Sequence, residues 1–432
     1  MEISKIQFKR EKYYSTKATG LGYLKLIPKH WGLEKGKWLY IKEERPVRKD
    51  DDIVTCFRDG QVTLRTNRKT EGFTNALKEH GYQGIRKGDL VIHNMDAFAG
   101  AIGVSDSDGK STPVYSACTP RDGSKTNNFY YAHFLRDLAK SGFIESLAKG
   151  IRERSTDFRF SDFGAIILPV PPIEEQNNIV AFLDRKTAQI DKSISIKERQ
   201  IELLKERRQI LIHQAVTRGL NPNVKMKDSG VEWIGVIPEH WEVMPGFVLF
   251  NENRRKNIGM KEYRVLSLSY GKIIIKPIEK LVGLVPESFE TYQIVRPNDI
   301  IIRCTDLQND QTSLRTGLAE NPGIITSAYL NLSLKIDYNP HLIHYFLHAL
   351  DITKVFYKFG SGLRQNLSFD DFKRLPIVIV PAYEQDLIVR FLKNLESKTT
   401  TAINCKEKEI EKLKVYKATL INSAVTGKIK VS

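Results

Sequence analysis

This 432-residue chain carries one pattern twice, at a nearly constant spacing. Phe163 maps onto Phe372 and Gln176 onto Gln385, an offset of 209 residues in both cases. The same shift joins Ala215-Val216-Thr217 to Ala424-Val425-Thr426, and Ile27-Pro28-Lys29-His30-Trp31 recurs 210 residues later as Ile237-Pro238-Glu239-His240-Trp241. Solenoid repeats have periods of roughly 20–50 residues, so a repeat this long indicates a duplicated domain.

Composition limits the class of protein. With 41% hydrophobic and 27% charged residues, the chain has the profile of an ordinary globular protein with room for two or more domains. It has no apolar run near the roughly 18–20 residues that span a bilayer, and no secretory signal at its start. Cys56, Cys118, Cys304 and Cys405 are scattered, which favours free thiols in the cytosol over disulfides or a zinc site. We expect a cytoplasmic protein.

The formal net charge is +16, with a pI near 9.4. An excess of this size favours a polyanionic partner, with nucleic acid ahead of an anionic membrane. A membrane-surface protein would need a basic amphipathic helix with a bulky aromatic face, whereas the basic helices here have aliphatic faces. A basic surface without a specific partner is the remaining alternative.

Two long helices are predicted, one in each copy. The first begins at Ile173, after Pro171-Pro172, and runs to about Arg218, before Gly219; the second runs from about Glu384 to Thr426. Each has apolar residues at heptad spacing, with Lys197 and Arg208 interrupting the first series and Lys406 the second. The seam residues are Leu183, Ile190, Ile194, Ile201, Leu204, Leu211, Leu392, Ile403, Ile410, Leu413 and Leu420.

A helix of roughly 40 residues is about 60 Å long and must pack against something. We expect the two helices to pair antiparallel as a coiled coil within the chain. The alternative is two unrelated amphipathic helices, each on its own domain, which the shared register disfavours.

The regions between the helices contain short β-like runs separated by Gly- and Asn-rich turns, with shorter helical segments. The predicted fold class is therefore α+β. Two pseudo-symmetric globular domains, residues 1–170 and 221–382, are joined by helical segments 171–220 and 383–432. The frameworks match, but loop 123–128 has no close relative in the second copy, so the two domains are expected to recognise different targets.

The order of these motifs resembles the specificity subunit of a type I restriction–modification system over essentially the whole chain. Each half has the I-P-x-H-W opening, an Asp before a β run, an aromatic-Asp-Phe element, a Pro-x-x-Glu-Gln element, the long helix and the Ala-Val-Thr exit. The second half also has Gln365-Asn366-Leu367-Ser368, which residues 151–156 replace in the first.

The resemblance implies a non-catalytic subunit that reads a bipartite, asymmetric DNA sequence, one half-site per target recognition domain. The helices would set the spacing and hold two methyltransferase subunits, with restriction subunits as a further component. No cofactor is expected in this chain, because S-adenosylmethionine, Mg and ATP would belong to the partner subunits.

Base edges are read best by Arg or Lys at guanine and by Asn or Gln at adenine. Loop residues of these types are the candidates for contact with double-stranded DNA, although for any one of them a solvated position is an open alternative. In the first half they are Arg65, Asn67, Arg68, Lys69, Lys125, Asn127, Asn128, Arg152 and Arg154. In the second half they are Gln308, Asn309, Gln311, Arg315, Arg364, Gln365 and Asn366.

No active site is apparent in the sequence. There is no G-x-x-x-x-G-K-[ST] loop, and Asn221-Pro222 and Asn321-Pro322 lack the second Pro and the aromatic residue of a methyltransferase motif. His341, His344 and His348 could line one helical face, but without a matching carboxylate or Cys a metal site is disfavoured against an interface or core role.

Three functional classes remain. A recognition subunit of a methyltransferase and restriction complex is favoured. A free-standing bivalent DNA-binding regulator would bind DNA tightly alone, and a scaffold would show no steep salt dependence of DNA binding.

Overall fold

The computed structural model describes residues 13, 15–68, 80–147, 157–277, 288–305, 314–358 and 367–431. The chain divides into two compact units. Unit 1 comprises Met1–Lys197 with Glu407–Ser432, and unit 2 comprises Glu198–Lys406. Each unit therefore contains one globular domain, the N-terminal half of the long helix that follows this domain in sequence, and the C-terminal half of the other long helix.

The first globular domain contains twelve short strands in its described part. They are β1 (Thr16–Leu21), β2 (Leu24–Pro28), β3 (Gly32–Lys35), β4 (Tyr40–Lys42), β5 (Val54–Cys56), β6 (Val62–Leu64), β7 (Gln83–Ile85), β8 (Leu90–His93), β9 (Ile102–Val104), β10 (Gly109–Ser111), β11 (Tyr115–Pro120) and β12 (Ile167–Val170). The helices are α1 (Gly36–Leu39), α2 (Asn128–Lys140), α3 (Phe143–Leu147), α4 (Phe160–Ala165) and α5 (Ile173–Arg218).

The second domain repeats this series of strands. Its strands are β13 (Met226–Asp228), β14 (Val236–Pro238), β15 (Glu242–Pro245), β16 (Phe250–Glu252), β17 (Leu266–Ser269), β18 (Lys272–Ile275), β19 (Gln293–Val295), β20 (Ile300–Arg303), β21 (Thr316–Leu318), β22 (Gly323–Ile325), β23 (Tyr329–Leu334) and β24 (Pro376–Ile379). Its helices are α6 (Gly246–Leu249), α7 (Pro340–Ile352), α8 (Phe369–Phe372) and α9 (Ala382–Val425).

The two domains share one topology. A four-stranded antiparallel sheet has the order β4-β11-β8-β9 in unit 1 and β16-β23-β20-β21 in unit 2. β3 pairs with β12, and β15 pairs with β24, so the opening of each domain lies beside the strand that leads into its long helix. The α+β fold class predicted from the sequence is confirmed.

The main core of each unit lies between its sheet, its 13-residue helix and the long helices. In unit 1, Leu90 and Ile92 of β8 pack with Phe134 and Leu135 of α2. In unit 2, the corresponding cluster includes Ile300 and Ile302 of β20 with Phe346 of α7. A smaller core, separate from the main one, lies under each β-hairpin that follows the sheet's first strand, at β5–β6 and at β17–β18.

The long helices begin and end close to the predicted residues. α5 has 46 residues and the predicted bounds, while α9 has 44 residues and begins two residues before the predicted Glu384. Acidic residues lie in the first turn of each, where they complement the helix dipole. Gly219 follows α5 with φ of 72°, a backbone conformation that glycine adopts without strain.

Within unit 1 the two long helices run antiparallel. Lys197 of α5 pairs with Glu409 of α9, while Asp191, which precedes Lys197 on α5, pairs with Lys417 at 2.6 Å. Residue numbers therefore rise on α5 as they fall on α9. Six of the eleven seam residues are buried, namely Leu183, Ile190, Ile201, Leu392, Ile410 and Leu420, and the other five are partly exposed. Ile212, which the heptad count missed, is more deeply buried than Leu211.

Candidate nucleic-acid interface

The repeated sequence elements of unit 1 meet around one carboxylate. Glu175, in the first turn of α5, accepts a hydrogen bond from the indole Nε1 of the buried Trp31 at 3.0 Å. The hydroxyl of Tyr13 donates to the same oxygen at 2.6 Å, and the other carboxylate oxygen lies 2.5 Å from Nε2 of His30. Burial alone would raise the pKa of Glu175, but these hydrogen bonds hold that pKa below its ordinary value.

Unit 2 repeats this arrangement with Glu384. His240 Nε2 lies 2.6 Å from Glu384 Oε1, and Trp241 Nε1 donates to the same oxygen at 3.4 Å. The I-P-x-H-W opening of each half thus binds the first turn of the long helix that leaves the same half.

The same tryptophans contact the end of the other long helix. A Cβ added at Gly427, which follows α9, would lie 3.0 Å from Trp31, and one added at Gly219, which follows α5, would lie 3.2 Å from Trp241. In each unit one indole therefore packs between the beginning of one long helix and the end of the other.

The second residue of each Glu-Gln pair fixes the start of the 13-residue helix. Gln176 is fully buried; its Oε1 accepts from the backbone N–H of Asn127 at 2.8 Å. Gln385 accepts from the backbone N–H of Asn339 at the same distance. Asn127 and Asn339 are the N-caps of α2 and α7, so one residue of loop 123–128 has an equivalent in unit 2.

An Arg–Asp pair supports the sheet in both units. Arg45 pairs with the buried Asp89 in unit 1, and Arg255 pairs with the buried Asp299 in unit 2. Each aspartate also accepts a backbone hydrogen bond at 2.8 Å from the residue three positions earlier. The residues that carry the repeat therefore build the framework, and the differences between the two copies lie elsewhere.

Three of the sequence-predicted DNA contacts lie together beside the β5–β6 hairpin of unit 1. Arg68 packs its guanidinium 4.3 Å from the ring centroid of Phe57 and pairs with Asp59 at 2.6 Å. Asn67 donates to Thr63 at 2.9 Å, and Arg65 lies in the short 3-10 turn after β6. The hydrogen bond from Arg68 lowers the pKa of Asp59. This cluster is basic, partly exposed and already held by internal contacts.

The next three candidates lie around the start of α2. Asn127 caps this helix and donates to Asn177 of α5 at 2.7 Å. Asn128 donates to the carbonyl of Gly88 at 2.7 Å and accepts from Tyr40. Lys125 is exposed and pairs with Asp122 at 3.2 Å. The two asparagines therefore already make framework contacts, while Lys125 faces solvent.

Arg315 is fully buried in unit 2. Its guanidinium donates to the carbonyls of Thr305 at 2.8 Å and Arg303 at 3.3 Å, and its backbone N–H donates to Asp351. The side chain therefore lies inside the domain and not on its surface. The remaining candidates fall outside the described residues: Lys69, Arg152, Arg154, Gln308, Asn309, Gln311, Arg364, Gln365 and Asn366.

A cavity of about 640 Å³ opens in unit 2 between the β17–β18 hairpin, α7 and parts of both long helices. It is lined by Arg208 and Lys393 and by the three histidines of α7. Burial, together with neighbouring His348, lowers the pKa of His344 to about 3, so this imidazole is neutral near pH 7. Among the described residues, no three His, Cys, Asp or Glu side chains come together as they would around a metal ion.

No helix in the described part of the chain is long and apolar enough to cross a membrane.

Comparison with known proteins identifies similar proteins. The family model of the type I restriction modification DNA specificity domain matches residues 249–412, which include the second domain's four-stranded sheet and most of α9. The type I restriction enzyme MjaVIII specificity subunit of Methanocaldococcus jannaschii is 25% identical over 314 residues, covering 68% of each chain. The chain is similar to the type I restriction–modification specificity subunits, and its second half matches their DNA specificity domain. This similarity confirms the prediction of a non-catalytic recognition subunit instead of a methyltransferase or nuclease.

Solved structures show the same fold. A chain described in work on complex assembly and conformational transition of the type I R-M system matches 93% of this chain over 99% of its own length, with a TM-score of 0.67 and 15% identity. The HsdS subunit from Thermoanaerobacter tengcongensis covers 93% and 98%, with a TM-score of 0.54 and 14% identity.

Proposed function

We propose that this specificity subunit reads a bipartite, asymmetric DNA sequence and brings methyltransferase and restriction subunits to it. Residues 1–170 would read one half-site and residues 221–382 the other. The observation that supports this proposal most strongly is the duplication itself. The two units share the Trp–Glu, Gln–Asn and Arg–Asp contacts but differ at the β5–β6 and β17–β18 hairpins. A shared framework holds both domains in the same way, while different surfaces allow each to read its own sequence.

The charge of the chain supports a duplex DNA partner. A net charge of +16 provides the cations that neutralise phosphates and release counterions, which gives binding a steep salt dependence. Contacts to phosphate position the protein, and base-edge contacts in the grooves provide specificity. Exposed Lys125 is suited to the first role, and the cluster formed by Arg65, Asn67 and Arg68 to the second.

The partners follow from the repeated plan. Two equivalent sets of helix ends offer two equivalent docking surfaces, so two methyltransferase subunits are proposed, with restriction subunits completing the nuclease. S-adenosylmethionine, Mg and ATP would be bound by these partners, and the complex would act in the cytoplasm.

The test is sequence-dependent methylation by the assembled complex. The chain is co-purified with the methyltransferase subunits of its host, and genomic DNA from a strain carrying all subunits is sequenced for modified bases. The expected result is one methylated motif with two short specified segments and an unspecified spacer. Methylation that does not require this chain, or that shows no such motif, would refute the proposal.

A free-standing regulator is distinguished by binding without partners. The isolated chain and the assembled complex are titrated with a duplex carrying the methylated motif, at two salt concentrations. A specificity subunit is expected to discriminate the motif only in the complex, whereas equal discrimination by the chain alone would favour the regulator.

A further inference from the structure

The β17–β18 hairpin of unit 2 carries an exposed aromatic residue in a strained turn. Ser269 pairs with Lys272, so Tyr270 and Gly271 alone form the loop. Both have positive φ angles, 47° and 75°. Two-residue hairpin loops of this kind favour Asn-Gly, because asparagine tolerates the left-handed region and a bulky ring does not. The tyrosine is therefore held at a position that its backbone disfavours.

Tyr270 is almost fully exposed to solvent. The residue is 92% exposed, more than any other large hydrophobic residue in the described part of the chain. Ile274 and Ile275, on the following strand, are about half exposed. Several exposed apolar side chains on one short hairpin suit an interaction surface.

The charge around this tip suits a polyanion. Residues 264–276 contain three cations, Arg264, Lys272 and Lys276, and no Asp or Glu. Glu320 and Glu396 line the same cavity as Tyr270, together with the cations Arg208 and Lys393. The hairpin itself is basic, which matches a nucleic acid, whose phosphates attract the lysines and whose bases offer flat faces to the ring where a step unstacks. A protein partner would need an acidic rim around an apolar pocket to match the same tip.

The hairpin packs closely against the rest of its domain. A Cβ added at Gly317 of β21 would come within 2.7 Å of Leu268 and 2.9 Å of Ile273, so these side chains lie directly on the strand. At the tip, a Cβ added at Gly271 would lie 3.1 Å from Leu314 and 3.4 Å from His348. The position of Tyr270 is therefore fixed by the sheet and by α7, as a recognition residue requires.

The equivalent hairpin of unit 1 differs at this point. Its tip is longer, and its aromatic residue, Phe57, is covered by the guanidinium of Arg68. Unit 1 thus presents a charged, polar surface where unit 2 presents a bare ring. The hairpin tips differ between the two copies, although the sheets have the same strand order. Such a difference is expected of a surface that recognises a DNA sequence, whereas a docking surface for identical partners would be the same in both copies.

We propose that Tyr270 packs against the bases of the half-site read by unit 2, with Lys272 contacting an adjacent phosphate. This inference rests on the proposed function and names a contact residue for it. Aromatic side chains that stack on or wedge between bases gain contact area and favour base steps that unstack easily. Tyr270 would then contribute affinity and a preference at one position of its half-site.

The test uses the complex of the chain with its methyltransferase subunits and a duplex carrying the methylated motif. Tyr270→Asn creates the preferred Asn-Gly turn, so it removes the ring while stabilising the hairpin. We expect its midpoint of thermal unfolding to be unchanged or higher and its dissociation constant for the duplex to rise about 10- to 100-fold. Tyr270→Phe keeps the ring, and we expect its dissociation constant to stay within about threefold of wild type.

Two further variants separate the contributions. Lys272→Ala is expected to weaken binding to all duplexes alike and to lower the salt slope by about one. Phe247→Asn removes another exposed aromatic residue of unit 2, in α6, and is the matched control that should bind as wild type does.

The outcomes separate this inference from the proposed function. If wild-type complex fails to discriminate the motif, both are overturned. If wild type discriminates and Tyr270→Asn binds equally well, only the inference is overturned. It is also overturned if Tyr270→Asn releases the methyltransferase subunits, measured by native mass spectrometry, because the tip would then be a protein-docking surface.

Discussion

Trp31 donates an indole hydrogen bond to Glu175 at 3.0 Å, across 144 residues of chain. The same ring packs beside Gly427, which ends the other long helix. Trp241 has the equivalent contacts with Glu384 and Gly219 in unit 2. The tryptophan of each I-P-x-H-W element thus links its domain to the beginning of one helix and the end of the other, which explains why this short element occurs in both copies.

The carboxylate of Glu175 is expected to stabilise unit 1. Glu175→Gln should reduce the free energy of unfolding by about 1 kcal/mol at pH 7, a value discounted because the group is partly exposed. Its folded pKa is depressed, so the stabilisation is present above the unfolded pKa of 4.5 and is lost as pH falls through the folded pKa. Urea unfolding at pH 7 and pH 3.5 measures this stabilisation, and the difference in unfolding free energy between variant and wild type should be smaller at pH 3.5. Glu174→Gln, the exposed neighbour, is the control, and an equal loss there would contradict the assignment.

Gly427 is expected to tolerate no side chain. Its φ is 69°, and an added Cβ would lie 2.4 Å from Pro28. Gly427→Ala should cost about 2–4 kcal/mol, combining backbone strain with overpacking. Gly230→Ala has the same backbone strain, with φ of 71°, but no atom within 4 Å of the added Cβ. Thermal unfolding of both variants isolates the steric part, and equal midpoints would show that Trp31 and Pro28 do not restrict the helix end.

The Arg255–Asp299 pair is expected to contribute most to the stability of unit 2 at neutral pH. Burial raises the pKa of Asp299, partly opposed by hydrogen bonds and by Arg255. Arg255→Met would leave the buried carboxylate without its counter-charge, at a cost of about 3 kcal/mol at pH 7. Because a protonated Asp299 needs no partner, the cost should fall as pH decreases toward 4. Unfolding measured across this range tests the prediction, with exposed Arg254→Met as the control; a pH-independent cost would contradict it.

Arg315 is expected to affect stability and not sequence preference. Its side chain is buried and bonded to two carbonyls, so Arg315→Met should leave these acceptors unsatisfied and reduce unfolding free energy by about 3 kcal/mol. Folded complex containing the variant should methylate the same motif as wild type. Exposed Arg374→Met is the matched control for stability. A changed motif in methylome sequencing would instead place Arg315 at the DNA.

Much of the framework could be predicted from the sequence because it depends on local and periodic signals. Pro171-Pro172 before α5 and Gly219 after it mark both ends of a helix whose heptad spacing is regular. The candidate site was less predictable, because residue type alone does not give burial. Arg315 and Asn127 have the chemistry of base readers, yet one lies in the core and the other caps a helix.

Tyr270 was not among the predicted contact residues, because its local sequence gives little sign of an exposed loop position. Tyrosine is a common strand residue, and the only local signal of a turn was the glycine after it. Its significance depends on the pairing of Ser269 with Lys272, which sets the loop at two residues. Hairpin register is a property of the paired strands and not of either strand alone.

The sequence by itself determined the duplication, the two long helices, the α+β class and the resemblance to specificity subunits, since all of these depend on residue order and spacing. Only the tertiary structure decided which of the repeated residues touch: Trp31 with Glu175, Gln176 with Asn127, and Arg45 with Asp89. These contacts join residues that are between 44 and 144 positions apart. Burial, hydrogen-bond partners and charge pairing depend on the packing of distant segments, and the same packing assigns each repeated residue to the framework and leaves the hairpin tips free to differ.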